Sequence, residues 1–239
     1  MNMLSHSPDH RTRTAERRRD AMRRRLVESA MLVFAAKGTE TVVIDDVIMV
    51  AGVSRGTFYK YFPSTLDLMV AISQELANEL MAQVERVVAP IPDPVERVAL
   101  GLRLFIETAR AFPLFAGFIR ATGVQATGPA ALIYNYLPDH LNEGIAKGRF
   151  LDLPLEIHLD LITGTVLLCV LRQLPVPTET AHVRQVVASM LRALGLPAPE
   201  ARAIADLDPP PLHLPEDSLL VRTQRRLEAG SDDTCRRAR

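Results

Sequence analysis

Ile44–Ala51 reads I-D-D-V-I-M-V-A, Gly52–Ser54 reads G-V-S, and Arg55–Phe62 reads R-G-T-F-Y-K-Y-F. An apolar helical pattern breaks at a glycine, and Ser54 is a good N-cap for a second short helix. Two helices joined by a tight glycine-containing turn make a helix-turn-helix, whose second helix typically enters a DNA major groove. In the first helix Ile44, Val47, Ile48 and Ala51 share an inward face, and Asp45 and Asp46 sit favourably at its start. In the second, Phe58 and Phe62 lie about 40° apart around the axis and define the buried side. Gly56 and Lys60 lie opposite, flanked by Thr57 and Tyr59, with Arg55 and Tyr61 at the borders. Hydroxyls, cations and a closely approachable backbone suit phosphates and base edges.

Outward from this stretch the chain reads as helix. Leu26, Ala30 and Phe34 form an apolar stripe in a segment from about Ala15 to Lys37, with Gly38 as its stop. From Met1 to Arg25 eight arginines face three acids, a basic arm on a protein of formal net charge zero. If Arg23, Arg24 and Arg25 occupy the first turn, they oppose the helix macrodipole. Pro63 is expected to open a helix reaching about Val88, and Pro90-Ile-Pro-Asp-Pro94 breaks the chain. Further helices are expected from Pro94 to Phe112 with Asp93 as cap, Pro113 to Thr122, Gly128 to Lys147, Pro154 to Gln173, Glu179 to Leu194 and Ala198 to Ala205. The segment from Pro154 is apolar almost all round, so it needs a second buried face, which its own bundle or a partner chain supplies. Six prolines fall between Pro197 and Pro215. A weakly helical Ser218–Ala229 follows, then a basic end.

Composition narrows the classes. The chain has 239 residues, 48% of them hydrophobic, with 5% aromatic and no tryptophan. That describes a globular chain with a sizeable core. Cys169 and Cys235 carry no metal or disulfide spacing, which fits a reducing cytoplasm. The apolar run Leu161–Leu171 is too short to span a bilayer. No nucleophile–base pair, metal cluster or phosphate loop is legible, so no catalytic residue, metal or cofactor is expected. Asp139 with His140, and His158 with Asp160, read as solvated surface.

Segment Arg23–Leu68 resembles the DNA-binding domain of the TetR family of bacterial transcriptional regulators. The resemblance rests on F-x-x-x-G at Phe34–Gly38, A-G-V-S-x-G-T-x-Y-x-Y-F at Ala51–Phe62 and P-S-x-x-D-L at Pro63–Leu68. Leu191–Leu196 also ends like many members, as L-R-A-L-G-L. Three features depart from the pattern. Val42 and Val43 stand where a capping hydroxyl is usual, Thr65 replaces a common lysine, and Ile48, Met49 and Val50 make the exposed side of the first motif helix apolar. The arginine arm is the expected compensating source of phosphate affinity.

The resemblance implies an all-α protein in which an N-terminal three-helix helix-turn-helix domain precedes a C-terminal helical bundle for dimerisation and ligand binding. The expected boundaries are a basic flexible arm over 1–18, the DNA-binding unit over 19–80 with its motif at 43–62, the bundle over 81–206, and a Pro-rich linker and mobile tail over 207–239. It implies DNA contacts from Ser54, Arg55, Gly56, Thr57, Tyr59, Lys60 and Tyr61. It further implies a homodimer on a palindromic operator, released by a small-molecule inducer, with repression as the expected direction. Among aromatics and polar groups of the bundle, Phe105, Phe112, Phe115, Phe118, Tyr134, Tyr136, Arg110, Arg120, Gln125, Asn135, His140 and His158 are available to an inducer, none singled out. Two other readings stay open: a sensing or protein-binding module with weakened DNA affinity, and a non-catalytic small-molecule carrier.

Overall fold

The computed structural model describes residues 10–37, 44–123, 133–172 and 180–225, and among these every regular element is a helix. In chain order they are α1 (His10–Lys37), α2 (Ile44–Ala51), α3 (Arg55–Tyr59), α4 (Thr65–Val88), α5 (Pro94–Ala111), α6 (Pro113–Thr122), α7 (Ile133–Ala146), α8 (Leu155–Arg172), α9 (Thr180–Ala193) and α10 (Ala198–Ala205). Residues 219–225 are helical again.

The helix boundaries follow local chemistry. Ser64 caps α4 by accepting from the Asp67 amide at 3.1 Å, and its hydroxyl donates to the Asp67 carboxylate at 2.7 Å. Pro63 therefore precedes the cap instead of opening the helix. Asp93 accepts from the Val95 amide at 2.8 Å and Pro94 takes the first position of α5. Helix α2 ends in a Schellman motif, with Gly52 N–H donating to Met49 and Val53 N–H to Ile48. Gly52 has φ of 61°, a left-handed conformation that an L side chain enters only with strain. At Gly144 a different constraint acts, because a Cβ there would run into the Phe150 ring.

One core runs through the chain. Helix α1 buries Leu26, Ala30 and Phe34; α4 adds Leu68, Ile72, Leu76, Leu80 and Val84; α5, α6, α8 and α9 continue it. The boundary expected at 80/81 falls inside α4, which runs on unbroken with buried residues on both sides. The junction between motif and bundle is thus a packed helix. Phe34 of α1 meets Phe118 of α6 edge to face at 5.0 Å, and Ser73 of α4 shares a 3.2 Å hydrogen bond with Thr122 of α6.

Four expectations change. First, α1 begins at His10, so residues 10–18 of the expected flexible arm are helix, and Arg23–Arg25 lie well past the first turn. The macrodipole argument therefore lapses. Second, Ile48 is partly buried against the core, which leaves Met49 and Val50 as the exposed apolar pair of α2. Third, His140 pairs with Glu85 at 2.9 Å and His158 is fully buried, while Asp139 and Asp160 are exposed. Fourth, the expected linker and mobile tail is docked as far as Arg225, with Ser218, Leu220 and Thr223 buried. Arg103 fixes its start, since its buried guanidinium donates to the carbonyls of Ala205 and Leu207 at the end of α10. Gly38, Val42, Val43, Gln125, Cys235 and the starts expected at Gly128 and Glu179 lie outside the described residues.

Phe34→Ala removes a fully buried ring that joins two helices of different parts of the chain. We expect it to lower unfolding free energy by about 3–5 kcal/mol, read by urea titration, with Phe34→Leu costing much less.

Candidate nucleic-acid interface

Helix α3 is five residues long and is held from beneath. Phe58 and Phe62 are buried, their rings 6.0 Å apart, and Phe58 also meets Tyr59 edge-on at 5.6 Å. The guanidinium of Arg23 lies 5.6 Å over the Phe62 ring and pairs with Glu75. One arginine expected to serve phosphates thus clamps α1, α4 and the end of the motif together. Arg13, Arg17, Arg18, Arg19, Arg24 and Arg25 are exposed along α1.

Above that base the outward residues fall into three groups. Gly56, Tyr59 and Lys60 are exposed; Lys60 is the C-cap, and Tyr59 leaves about 48% of its surface bare. Ser54 and Thr57 are partly committed to the helix itself, since the Ser54 hydroxyl oxygen accepts from the Thr57 amide at 3.1 Å and lies 3.0 Å from the Thr57 hydroxyl. Arg55 is exposed but engaged with α2, donating from Nε and Nη2 to the two carboxylate oxygens of Asp45 at 2.9 and 2.5 Å. That fork holds the guanidinium plane in one orientation, and the hydrogen bond to Asp45 raises the Arg55 pKa above its already high ordinary value. Tyr61 is half-buried against the core.

The sequence pointed to Asp45 only as a helix-start acid; its pairing with Arg55, ten residues on across the turn, was not legible. The exposed Met49 of α2, 73% accessible, stands on the same unit as an apolar counterpart to these polar groups. Among the described residues no group of three His, Cys, Asp or Glu side chains is placed to hold a metal, and no helix is long and apolar enough to cross a membrane.

Two further features belong to the bundle. Helix α8 buries Ile162, Val166, Cys169 and Val170, yet leaves Ile157, Leu161 and Leu168 exposed along the opposite side. Gly164 lies on that helix with nothing within 4 Å of where a Cβ would stand. A cavity of about 40 Å³ lies among α4, α5, α7 and α8, lined by Val84, Gly101, Phe105, Tyr136, His140 and Val166 among others. It has room for a few waters at about 10–15 Å³ each. At its polar edge are the His140–Glu85 pair and Arg97, which binds Glu143 and whose buried Nε has no partner. Hydrogen bonds from Lys147 and Arg97 hold the Glu143 carboxyl below its ordinary pKa. Of the remaining inducer candidates, Phe115 and Phe118 are core, and Phe112 and Tyr134 pack against it.

Residues 26–72 match the family model for bacterial regulatory proteins of the tetR family, and residues 93–207 match that for the tetracyclin repressor-like C-terminal domain. The HTH-type transcriptional repressor LfrR of Mycolicibacterium smegmatis is 33% identical over 90 residues, which is 38% of this chain and 44% of LfrR. The chain thus spans less than half of that relative's length. Among solved structures, RolR in complex with resorcinol is 25% identical with a TM-score of 0.72, over 83% of this chain and all of that one. The Thermus thermophilus FadR complex with lauroyl-CoA shares the fold, at 20% identity and a TM-score of 0.62 over 73% of this chain and 96% of that one. Two models covering the motif and the bundle in turn, about two thirds of the residues together, place the protein by sequence where its helices place it by shape: the chain belongs to the TetR family of bacterial regulatory proteins.

Proposed function

We propose that the protein is a sequence-specific DNA-binding transcriptional regulator, acting as a homodimeric repressor that a small molecule releases from a palindromic operator. The observation that carries this reading is the division of α3 and its flanks. Phe58 and Phe62 are sunk in the core, while Gly56, Tyr59 and Lys60 face outward. In this reading Lys60 and the Tyr59 hydroxyl meet the duplex directly, Ser54, Thr57 and Tyr61 add hydroxyls at the margin, and Gly56 lets the backbone come close. Arg55 reaches a base or phosphate with its plane set by Asp45. The exposed arginines of α1 supply phosphate contacts beside the motif.

The bare stripe of α8 supports the homodimer. Ile157, Leu161 and Leu168 recur at helical spacing and leave an apolar face that a second copy would cover, with Gly164 allowing close approach. A two-fold dimer also sets two motifs against half-sites one duplex turn apart.

Ligand control is supported by the cavity and by the contacts around α6. RolR, similar over its whole length, was crystallised with resorcinol, and we extend responsiveness to a small molecule to this chain. At about 40 Å³ the cavity is far below the roughly 300–1,000 Å³ of a drug-sized site. A ligand seated there would have to enlarge it, parting α5 and α7 from α4. Because α6 touches α4 through Thr122 and α1 through Phe118, such a change reaches the motif through packed side chains. A ligand that prefers the enlarged form shifts the population towards a dimer whose motifs no longer match the groove spacing.

Three outcomes test the reading. Tyr59→Phe with Lys60→Ala should weaken operator binding about tenfold, roughly 1.4 kcal/mol, in an anisotropy titration with an unchanged melting curve; undiminished affinity rejects the assigned face. Asp45→Asn should release Arg55 and raise affinity for non-specific DNA a few-fold at low salt; no rise means the guanidinium points away from the duplex. Leu161→Glu with Leu168→Glu should give a monomer by sedimentation while far-ultraviolet circular dichroism stays helical, and a dimer that survives places the interface elsewhere.

A further inference from the structure

The docked C-terminal segment belongs neither to the DNA-facing surface nor to the cavity. Its residues 219–225 form a short helix laid across two others, α1 and α4. Glu79 of α4 holds its first turn, with both carboxylate oxygens 2.9 Å from the Leu219 amide. The Ser218 hydroxyl accepts from the Val221 amide at 3.1 Å. One of the amides that every helix leaves orphaned at its start is therefore met by a side chain from 140 residues earlier in the chain, and a second by the segment's own serine. Burial raises the Glu79 pKa above its ordinary value, and the amide hydrogen bonding offsets part of that rise.

The far side of the segment rests on α1. Arg222 pairs with Glu28 at 3.3 Å, Thr223 donates to the Met31 sulfur at 3.8 Å, and Leu220 is 1% exposed. Glu28 and Met31 lie on the α1 turns that carry Leu26, Ala30 and Phe34 into the core beneath the motif. Besides Arg23–Glu75 near the motif and Phe34–Phe118 behind it, the segment thus makes a third tie between α1 and the rest of the molecule. It differs from the others in kind. The first two are contacts between side chains of long helices, whereas this one is a separate piece of chain laid against both α1 and α4.

We infer that Ser218–Arg225 is a positioning brace: it locks α1 to α4 and so fixes the angle at which the helix-turn-helix leaves the bundle. The inference rests on the DNA-binding reading for its consequence, though not for its geometry. The brace is held by one carboxylate, one ion pair and one buried leucine, Leu220, which joins the same core as α1 and α4.

The test uses the full chain, a chain ending at Pro215, and Glu79→Gln in the full chain. The substituted glutamine keeps the size of the side chain but offers one acceptor oxygen, and turns an amide donor towards the Leu219 amide. Amide hydrogen exchange is followed by mass spectrometry, and affinity by titration with an operator selected from random DNA by the parent protein. The brace predicts exchange accelerated at least tenfold over residues 22–34 in both altered chains, with α5 and α9 unchanged, and operator affinity lowered three- to tenfold. Unaltered exchange over 22–34 in Glu79→Gln overturns it. So does acceleration spread equally over α5 and α9, which makes the segment a general stabiliser. Should the shortened chain fail to fold, the Glu79→Gln result decides alone. A parent that selects no DNA sinks the DNA reading, while the exchange result still judges the brace.

Discussion

The arrangement of the whole molecule depends on α4 being one uninterrupted helix with a single buried stripe. Leu68, Ile72, Leu76, Leu80, Val84 and Val88 follow one another along about 30 Å of axis. The upper part of that stripe is the floor on which α1 rests, and the lower part is a wall of the bundle. Helices α1 to α3, about fifty residues, bury too little surface to be secure by themselves. Here they borrow core from α4 and α6. The consequence is mechanical: α1 cannot tilt without disturbing either the α4 stripe or the Phe34–Phe118 contact, and close-packed interfaces switch between arrangements instead of deforming smoothly.

The arginines show how the same residue type takes unlike parts. On sequence, Arg23, Arg24 and Arg25 were equivalent members of a basic run. Packing separates them. Arg23 is drawn under the motif by Glu75 and the Phe62 ring, while Arg24 is exposed. Arg55 is again different, exposed yet held by a two-point fork to Asp45. An exposed ion pair of this kind adds little to stability. What it fixes is direction, and a guanidinium that is already oriented loses less rotamer freedom on meeting a second partner.

Much of this was legible beforehand because it was local. Phe58 and Phe62 as anchors, the Ser54 and Asp93 caps, the glycine turn and the helices at Pro113–Thr122 and Ala198–Ala205 all follow from spacing and side-chain type within a few residues. What was not legible is what crosses long stretches of chain. Nothing near His140 announces Glu85, and nothing in the proline-rich run after Pro197 announces that Ser218 and Leu220 are buried. A composition rich in proline and charge reads as linker, but three buried side chains and one distant carboxylate suffice to dock it. His158 misled for a related reason. Its polar type suggested surface, yet its ring lies buried with only the Pro154 carbonyl 3.4 Å from Nδ1 and nothing at Nε2.

The two outward features of the proposed regulator, the α3 face and the α8 stripe, are joined by one helix. Helix α6 packs on α8 at one side and on α4 at the other, and reaches α1 through Phe118. A second copy covering Leu161 and Leu168 would therefore press on the element that also supports the motif. Dimer geometry and motif geometry are then a single mechanical problem, with α6 as the shared member. In the proposed regulator the cavity beside α4, lined in part by Val166 of α8, would let a ligand act on the α8 side and on α4 together. This placement needs no long signal path. It requires only that α6 have two packed positions, each compatible with one setting of α1, and that a ligand enlarging the cavity favour one of them.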